Sequence, residues 1–231
     1  MKIGVVGAGH IGRAMTKVAI DAGHEVMLAN SRGPESLQAL AKELGCRTGT
    51  VAEATRYGEL VILAIPFNKI RQLDPADFAG RIVLDANNYY PGRDTAVEAL
   101  DKHQATTSGL VQQHLAGARV VKFFNAIMFH DIEAHRKPHG ASDRRALPIA
   151  GDDAEAKRIA ATLMDQIGYD PVDGGSLDES WRFERAMPGY CVPLDAAHMR
   201  TALAAARRGE ELPHGSWRAP RPLNGPPPAS A

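Results

Sequence analysis

Three glycines, Gly7, Gly9 and Gly12 in VVGAGHIGRA, follow a short apolar run and open a segment with helical spacing, an arrangement suited to holding a diphosphate. Gly7 permits the tight turn, Gly9 lets a phosphate approach the backbone, and Gly12 lets the helix lie close on the strand. The N–H groups from Gly9 through His10 and Ile11 to Gly12, with the positive end of the helix dipole behind them, then face the anion. Further on the chain reads Asn30-Ser31-Arg32, with Ser36 close behind. A carboxylate at this place bonds both ribose hydroxyls of NAD and repels a 2′-phosphate. None stands in Asn30-Ser31-Arg32, and Arg32 carries a planar fork suited to phosphate oxygens. The expected nucleotide is therefore NADP(H), with Ser31 and Ser36 as further donors.

A sheet must position these residues, and its pattern is readable. KIGVV at 2–6 is a strand, Ile11, Met15, Val18, Ala19 and Ala22 recur at helical spacing, and Gly23 closes that helix before the strand HEVMLA. The alternation continues through a helix in GPESLQALAKELG, the apolar strands LVILAI and RIVLDA, a helix in GLVQQHLAG and a sixth strand, ARVVKFF. Unbroken apolar strands suit a parallel sheet covered on both faces. ALPIAG, DDAEAKRIAATLMDQIG and YDPVD add another β-α-β unit. The expected class is α/β, a Rossmann doubly wound, mainly parallel sheet with a small C-terminal helical extension. Residues 1–128 read as the nucleotide-binding domain. Residues 129–218 read as the extension, with helices at 177–186 and in LDAAHMRTALAAARRG, closing over the site. The tail 219–231, rich in Pro, Gly and Ala, is expected to be disordered.

Ligands in open α/β sheets sit outside the carboxyl ends of the strands. Those ends carry AIPFN and DANNYYP, so Ile65, Pro66, Phe67, Asn87 and Asn88 are expected to border the nicotinamide, with Asn125 of FFNAI at the same edge. Pro66 also serves as a strand terminator.

Composition narrows the function classes. With 27 Lys+Arg against 27 Asp+Glu among 231 residues, and no basic block interleaved with aromatics, nucleic acid is not an expected partner. Cys46 and Cys191 lie too far apart for a disulfide framework. No apolar stretch approaches the roughly 18 residues of a membrane span. The strand starting at Lys2 leaves no room for a signal peptide, so the expected location is cytoplasmic. A homodimer acting on a small molecule is the expected assembly.

On these residues the chain resembles the NADP oxidoreductase, coenzyme F-420-dependent family and, more distantly, the cytosolic domain of the STEAP metalloreductases. GVVGAGHIGRAM, GHEVMLANSRGPESL and VILAIP are shared with many Rossmann reductases. GARVVKFFNAI and AGDDAEAKRIAATLMDQIGYDPVDGGSLDESWRFE are more specific, and the motifs run in order across most of residues 3–184. The resemblance implies NADP(H) on Gly7, Gly9 and Gly12 with Ser31 and Arg32 at the 2′-phosphate. It also implies a deazaflavin, coenzyme F-420, or a flavin stacked on the nicotinamide. Ring-to-ring hydride transfer requires orientation rather than an acid, base or nucleophile, so no catalytic residue is assigned. The C-terminal end, polar and then Pro-rich, departs from the longer apolar end that many deazaflavin reductases use around the coenzyme, which leaves the acceptor open.

Three other readings stand beside this one. Direct reduction of a carbonyl or imine needs a proton donor, for which Tyr89, Tyr90, His130, Asp131 and Tyr190 are candidates without a motif, and no Tyr-x-x-x-Lys occurs. His130, Asp131, His135 and His139 crowd together as metal ligands would, but Pro138 interrupts a shared helix face, and no metal is expected. A non-catalytic NADP(H) sensor is the third. Trp181 and Phe183 are candidates to line a flavin pocket, with packing the alternative; both cysteines read as packing residues.

Overall fold

The computed structural model describes residues 1–218 and 221–225. Eight strands form one sheet: β1 (Lys2–Val6), β2 (Glu25–Ala29), β3 (Arg47–Gly49), β4 (Leu60–Leu63), β5 (Ile82–Asp85), β6 (Arg119–Lys122), β7 (Ala146–Gly151) and β8 (Asp170–Asp173). Their order is β3-β2-β1-β4-β5-β6-β7-β8, and all neighbours are parallel except β6 and β7, which are antiparallel. This is the expected Rossmann α/β sheet. The strand order reverses between β1 and β4, and that crevice is where such sheets hold ligands.

The apolar strands are continuous because both faces are covered. On one face Met15, Val18 and Ala19 of helix His10–Asp21 and Leu163, Met164 and Ile167 of helix Ala154–Ile167 pack with Val5, Leu28, Ile62 and Leu84. On the other, Phe78, Val111 and Leu115 cover Val6, Val61, Leu63 and Val83. Val5 and Val6 thus serve opposite layers, as strand alternation requires.

The expected boundary after residue 128 falls between β6 and β7, and β7 and β8 complete the same sheet. The extension contributes helix Ala196–Ala205 as expected. The segment expected to be helical at 177–186 is instead a 3-10 helix, Leu177–Phe183. Of the tail expected to be disordered, 221–225 are tied down: Asn224 exchanges bonds with Asp195 at 2.9 and 2.8 Å. Residues 219–220 and 226–231 lie outside the described residues. β3 and helix Val51–Tyr57 had no reading from sequence. The helix was signalled by Thr50-x-x-Glu53, whose side chains form a reciprocal capping box, whereas the strand is only three residues long.

Candidate functional site

The β1 turn is shaped by backbone contact. Gly7 has φ +119°, and a Cβ there would lie 2.1 Å from the Ala64 carbonyl oxygen; a Cβ on Gly12 would lie 1.8 Å from the Gly7 oxygen. Gly9 differs, because a Cβ on it would meet nothing within 4 Å. Gly7 and Gly12 therefore close the turn against the sheet, while Gly9 faces open space on its outer side. Helix His10–Asp21 begins after Gly9 with no side-chain cap, so its first-turn N–H groups remain available to an anion. Gly12→Ala is expected to abolish NADPH binding, read by fluorescence titration, and to cost about 1–3 kcal/mol of stability through overpacking. Unchanged binding would refute this account of the turn.

The loop after β2 is preorganised. Asn30 Oδ1 accepts from the Arg32 N–H at 2.9 Å, Asn30 Nδ2 donates to Ser36 Oγ at 3.0 Å, and Ser36 Oγ donates to the Gly33 oxygen at 2.8 Å. Asn30 and Ser36 thus hold the loop together. Ser31 and Arg32 are exposed at its tip, with no side-chain hydrogen bond or ion pair among the described residues. One carboxylate does approach this loop: Glu35, in the first turn of the 3-10 helix Pro34–Leu37, lies 3.1 Å from where a Gly33 Cβ would stand.

Between the turn and the carboxyl ends of β4, β5 and β6 lies a cavity of about 420 Å³. Its wall includes Gly9, His10, Ile11, Ile65, Pro66, Asn87, Asn88 and Asn125, so most of the expected nicotinamide residues come together. Phe67 does not: it is buried in the core edge-on to Tyr89, at 6.0 Å between centroids. His10 stacks on the exposed Phe129 at 4.4 Å on the same wall.

The residues present fit a nicotinamide nucleotide. Asn87 Nδ2 and Asn125 Oδ1 are buried without a hydrogen-bond partner, and their residues line this cavity. A buried orphan donor and acceptor are costly, about 1–3 kcal/mol each, and a carboxamide offers the complementary pair. Asn125 is aimed by its own amide, which donates to Asn88 Oδ1 at 3.2 Å and to the Phe183 oxygen at 3.0 Å.

Beneath Asn87 lies a buried charged network. Asp85 and Lys122, both 0% exposed, face each other across β5 and β6 in register. Lys122 Nζ donates to the Asn87 oxygen and to Ser108 Oγ, each at 3.1 Å, and sits 3.2 Å from Glu184 Oε1. Asp85 accepts from the Asn87 N–H at 3.1 Å and from Ser108 Oγ at 2.5 Å. Burial holds the Asp85 carboxyl above its ordinary range, with Lys122 opposing. Both backbone groups of Asn87 are thereby clamped by buried charged side chains. Charged residues ending otherwise apolar strands, the Asp of RIVLDA and the Lys of ARVVK, were the signal that could have found this pair.

The extension closes the cavity with Tyr190 and Cys191. Phe124 and Cys191, both on the wall, have φ of 52° and 56°, and such left-handed residues cluster where a fold is held for function. Burial pushes the Cys191 thiol up to about 12, which leaves it a neutral packing group. Trp181 and Phe183 do not line this cavity. Phe183 is core, and Trp181 borders a separate cavity of about 290 Å³, with the Arg208 guanidinium 5.4 Å from its ring centroid. Of the histidine-rich segment, His139 is drawn away to Asp165 at 2.9 Å, while His130, His135 and Arg145 gather around Asp131. Among the described residues no three His, Cys, Asp or Glu side chains are placed to hold a metal. Nor is any helix among them long and apolar enough to cross a membrane.

Comparison with known proteins agrees with this geometry. Residues 2–89, which hold the glycine turn, the Arg32 loop and β1 to β5, match the family NADP oxidoreductase, coenzyme F420-dependent. This stretch of the chain is thus similar to that family. The structure of a protein from Arthrobacter sp. FB24, provisionally assigned as an F420-dependent NADP reductase, is 26% identical, with a TM-score of 0.65 over 79% of this chain and 87% of that one. Metalloreductase STEAP3 of Rattus norvegicus is 29% identical over 83% of this chain and 38% of its own length. The Escherichia coli K12 protein YjhV is 39% identical over 34% of this chain and 58% of its own. The chain thus spans less than two thirds of the curated relatives it matches. The family match covers the β1 turn and the part of the cavity wall formed by Ile65, Pro66, Asn87 and Asn88, while Tyr90, Asn125, Tyr190 and Cys191 lie outside it.

Proposed function

We propose that this chain is an NADP(H)-dependent oxidoreductase that moves hydride between NADPH, bound across the β1 turn, and a flat deazaflavin or flavin-type acceptor in the cavity beyond it. The observation that carries the reading is continuity: the open face of Gly9 leads into a cavity whose wall presents the unpartnered Asn87 Nδ2 and Asn125 Oδ1. The family match and the Arthrobacter protein's assignment support NADP and a deazaflavin respectively. Holding two rings in contact converts an encounter into an effectively unimolecular step. The hydride chemistry belongs to the nucleotide, and the chain supplies binding, orientation and exclusion of water.

The test is NADPH oxidation followed at constant nucleotide against coenzyme F420, FMN, FAD, a quinone, and small carbonyl and imine acceptors, repeated with NADH. Turnover of F420 or a flavin with NADPH preferred is the expected result. Turnover of carbonyls or imines alone would replace the acceptor class, and tight NADPH binding with no turnover would make the chain a sensor.

A further inference from the structure

We propose that Tyr90 donates a proton to the hydride acceptor, with Tyr190 holding and recharging it, so that the acceptor suited to this cavity gains a proton on oxygen or nitrogen as it gains hydride. The proposal rests on the reading above that NADPH binds alongside.

The two tyrosines are 100 residues apart in sequence and both line the cavity that holds Asn87 and Asn125. Their hydroxyl oxygens are 2.5 Å apart. Only one hydrogen fits between two hydroxyls, and each phenol carries one, so the pair keeps a spare O–H. Tyr190 is 2% exposed, whereas Tyr90 is half-buried. The arrangement that serves both has Tyr190 donating to Tyr90 and the Tyr90 hydrogen directed into the cavity. Each ring is fixed independently. The N–H of Cys191, next to Tyr190, donates to the Ala126 oxygen at 3.2 Å, and the Trp217 ring lies edge-on to Tyr190 at 5.4 Å. Tyr90's N–H donates to Asp94 Oδ2 at 2.9 Å. The Arg93 guanidinium lies 4.4 Å from the Tyr90 ring centroid, a cation placed to stabilise negative charge on that phenol as the proton departs. Arg93 is itself held by Asp94 at 2.7 Å and by the Asn88 oxygen at 3.1 Å.

In the step, hydride from the nicotinamide brings two electrons to the electrophilic end of the acceptor's π system: a carbonyl or imine carbon, N5 of a flavin, or one oxygen of a quinone. The π pairs shift to the heteroatom at the other end (the carbonyl oxygen, the imine nitrogen, flavin N1 or the opposite quinone oxygen), which takes the proton of Tyr90. The O–H bonding pair stays on the Tyr90 oxygen, Tyr190 returns a proton to it, and solvent restores Tyr190. This assigns the acceptors to carbonyl, quinone and ring-imine groups, the last including flavin-type rings.

The experiment uses whichever of menadione, FMN and a small cyclic imine the wild-type chain reduces with NADPH. Tyr90→Phe is expected to lower kcat about a hundredfold, within the usual range for a general acid, with the NADPH dissociation constant within twofold of wild type. Tyr190→Phe is expected to lower kcat about tenfold, with a similar dissociation constant. The wild type is expected to show a solvent deuterium isotope effect on kcat that is altered in Tyr90→Phe, and the same isotope effect in both overturns the proposal. Tyr90→Phe with kcat within threefold of wild type overturns the proposal and leaves the oxidoreductase reading intact. Failure of the wild type with all three acceptors overturns the proposal, and failure with coenzyme F420 as well overturns both. Should Tyr90→Phe lose NADPH binding, Tyr190→Phe decides: an unchanged kcat overturns the proposal, and a tenfold loss at unchanged binding supports it.

Discussion

Lys122→Met is expected to lower the unfolding free energy by about 3–5 kcal/mol, the usual consequence of removing the buried partner of an ion pair, here Lys122 with Glu184, beside a second buried carboxyl, Asp85. It is also expected to weaken NADPH binding. Methionine fills most of the volume, so the loss is electrostatic: Asp85, fully buried, keeps only Ser108 Oγ and the Asn87 N–H, and Glu184 loses its cation. The Asn87 oxygen loses the ammonium that holds it, which frees the loop carrying the cavity's orphan amide. The pH dependence follows from the sign of the Asp85 shift. Its folded pKa is raised by burial and rises further without Lys122. A carboxyl of this kind contributes stability that is fully present below its unfolded pKa, about 3.9, and is lost as pH rises through the folded value. The deficit of Lys122→Met relative to wild type should therefore be larger at pH 8 than at pH 5, measured by urea unfolding at both. Asp85→Asn combined with Lys122→Met should recover a substantial part of the loss, because no buried charge is then stranded between the strands. A double variant no more stable than Lys122→Met at pH 8 would show that Asp85 is not the stranded charge.

The sheet was legible because its signals are local. Unbroken apolar runs, Gly23 and Gly45 just past their helices, and the spacing of Gly7, Gly9 and Gly12 each report backbone geometry within a few residues. The glycine turn and the helix start were readable for the same reason, since they lie with Asn30-Ser31-Arg32 within one β-α-β unit. What sequence left unread depends on tertiary meeting. Tyr90 touches Tyr190 and Lys122 touches Glu184 only because the extension returns its chain to the ends of β5 and β6. No spacing rule connects residues 62 or 100 positions apart. Phe67 was misplaced because a residue beside a strand end can face either the cavity or the core, and its neighbour Tyr89 supplies an aromatic partner on the core side. The segment at 177–186 reads as helical by composition, yet its Trp181, Arg182 and Phe183 are pulled to three different partners, Arg208, the Gly174 oxygen and the core. A 3-10 helix accommodates those directions.

For the nucleotide preference the decisive variant is Arg32→Ala, expected to raise the NADPH dissociation constant on the order of a hundredfold while leaving that of NADH within twofold. The loop around it is held by Asn30 and Ser36 without using the Arg32 side chain, so alanine removes the guanidinium and leaves the loop backbone in place. Hydrogen bonds to a charged partner contribute about 1.5–3 kcal/mol each. Arg32 is exposed, which sets each at the low end, and two bonds to a 2′-phosphate then give about 3 kcal/mol, a factor of roughly a hundred. Glu35 works against this attraction, since its carboxylate lies beside Gly33 in the same turn. Glu35→Gln should therefore tighten NADPH severalfold at low ionic strength, with the gain shrinking as salt screens the exposed charges. Arg32→Lys separates charge from geometry: a point charge without the fork should restore part of the affinity and less of the preference. Isothermal titration of both nucleotides into wild type and the three variants reads all of this at once. Equal losses of NADPH and NADH in Arg32→Ala would remove the guanidinium from the phosphate site and with it the electrostatic basis for preferring NADP.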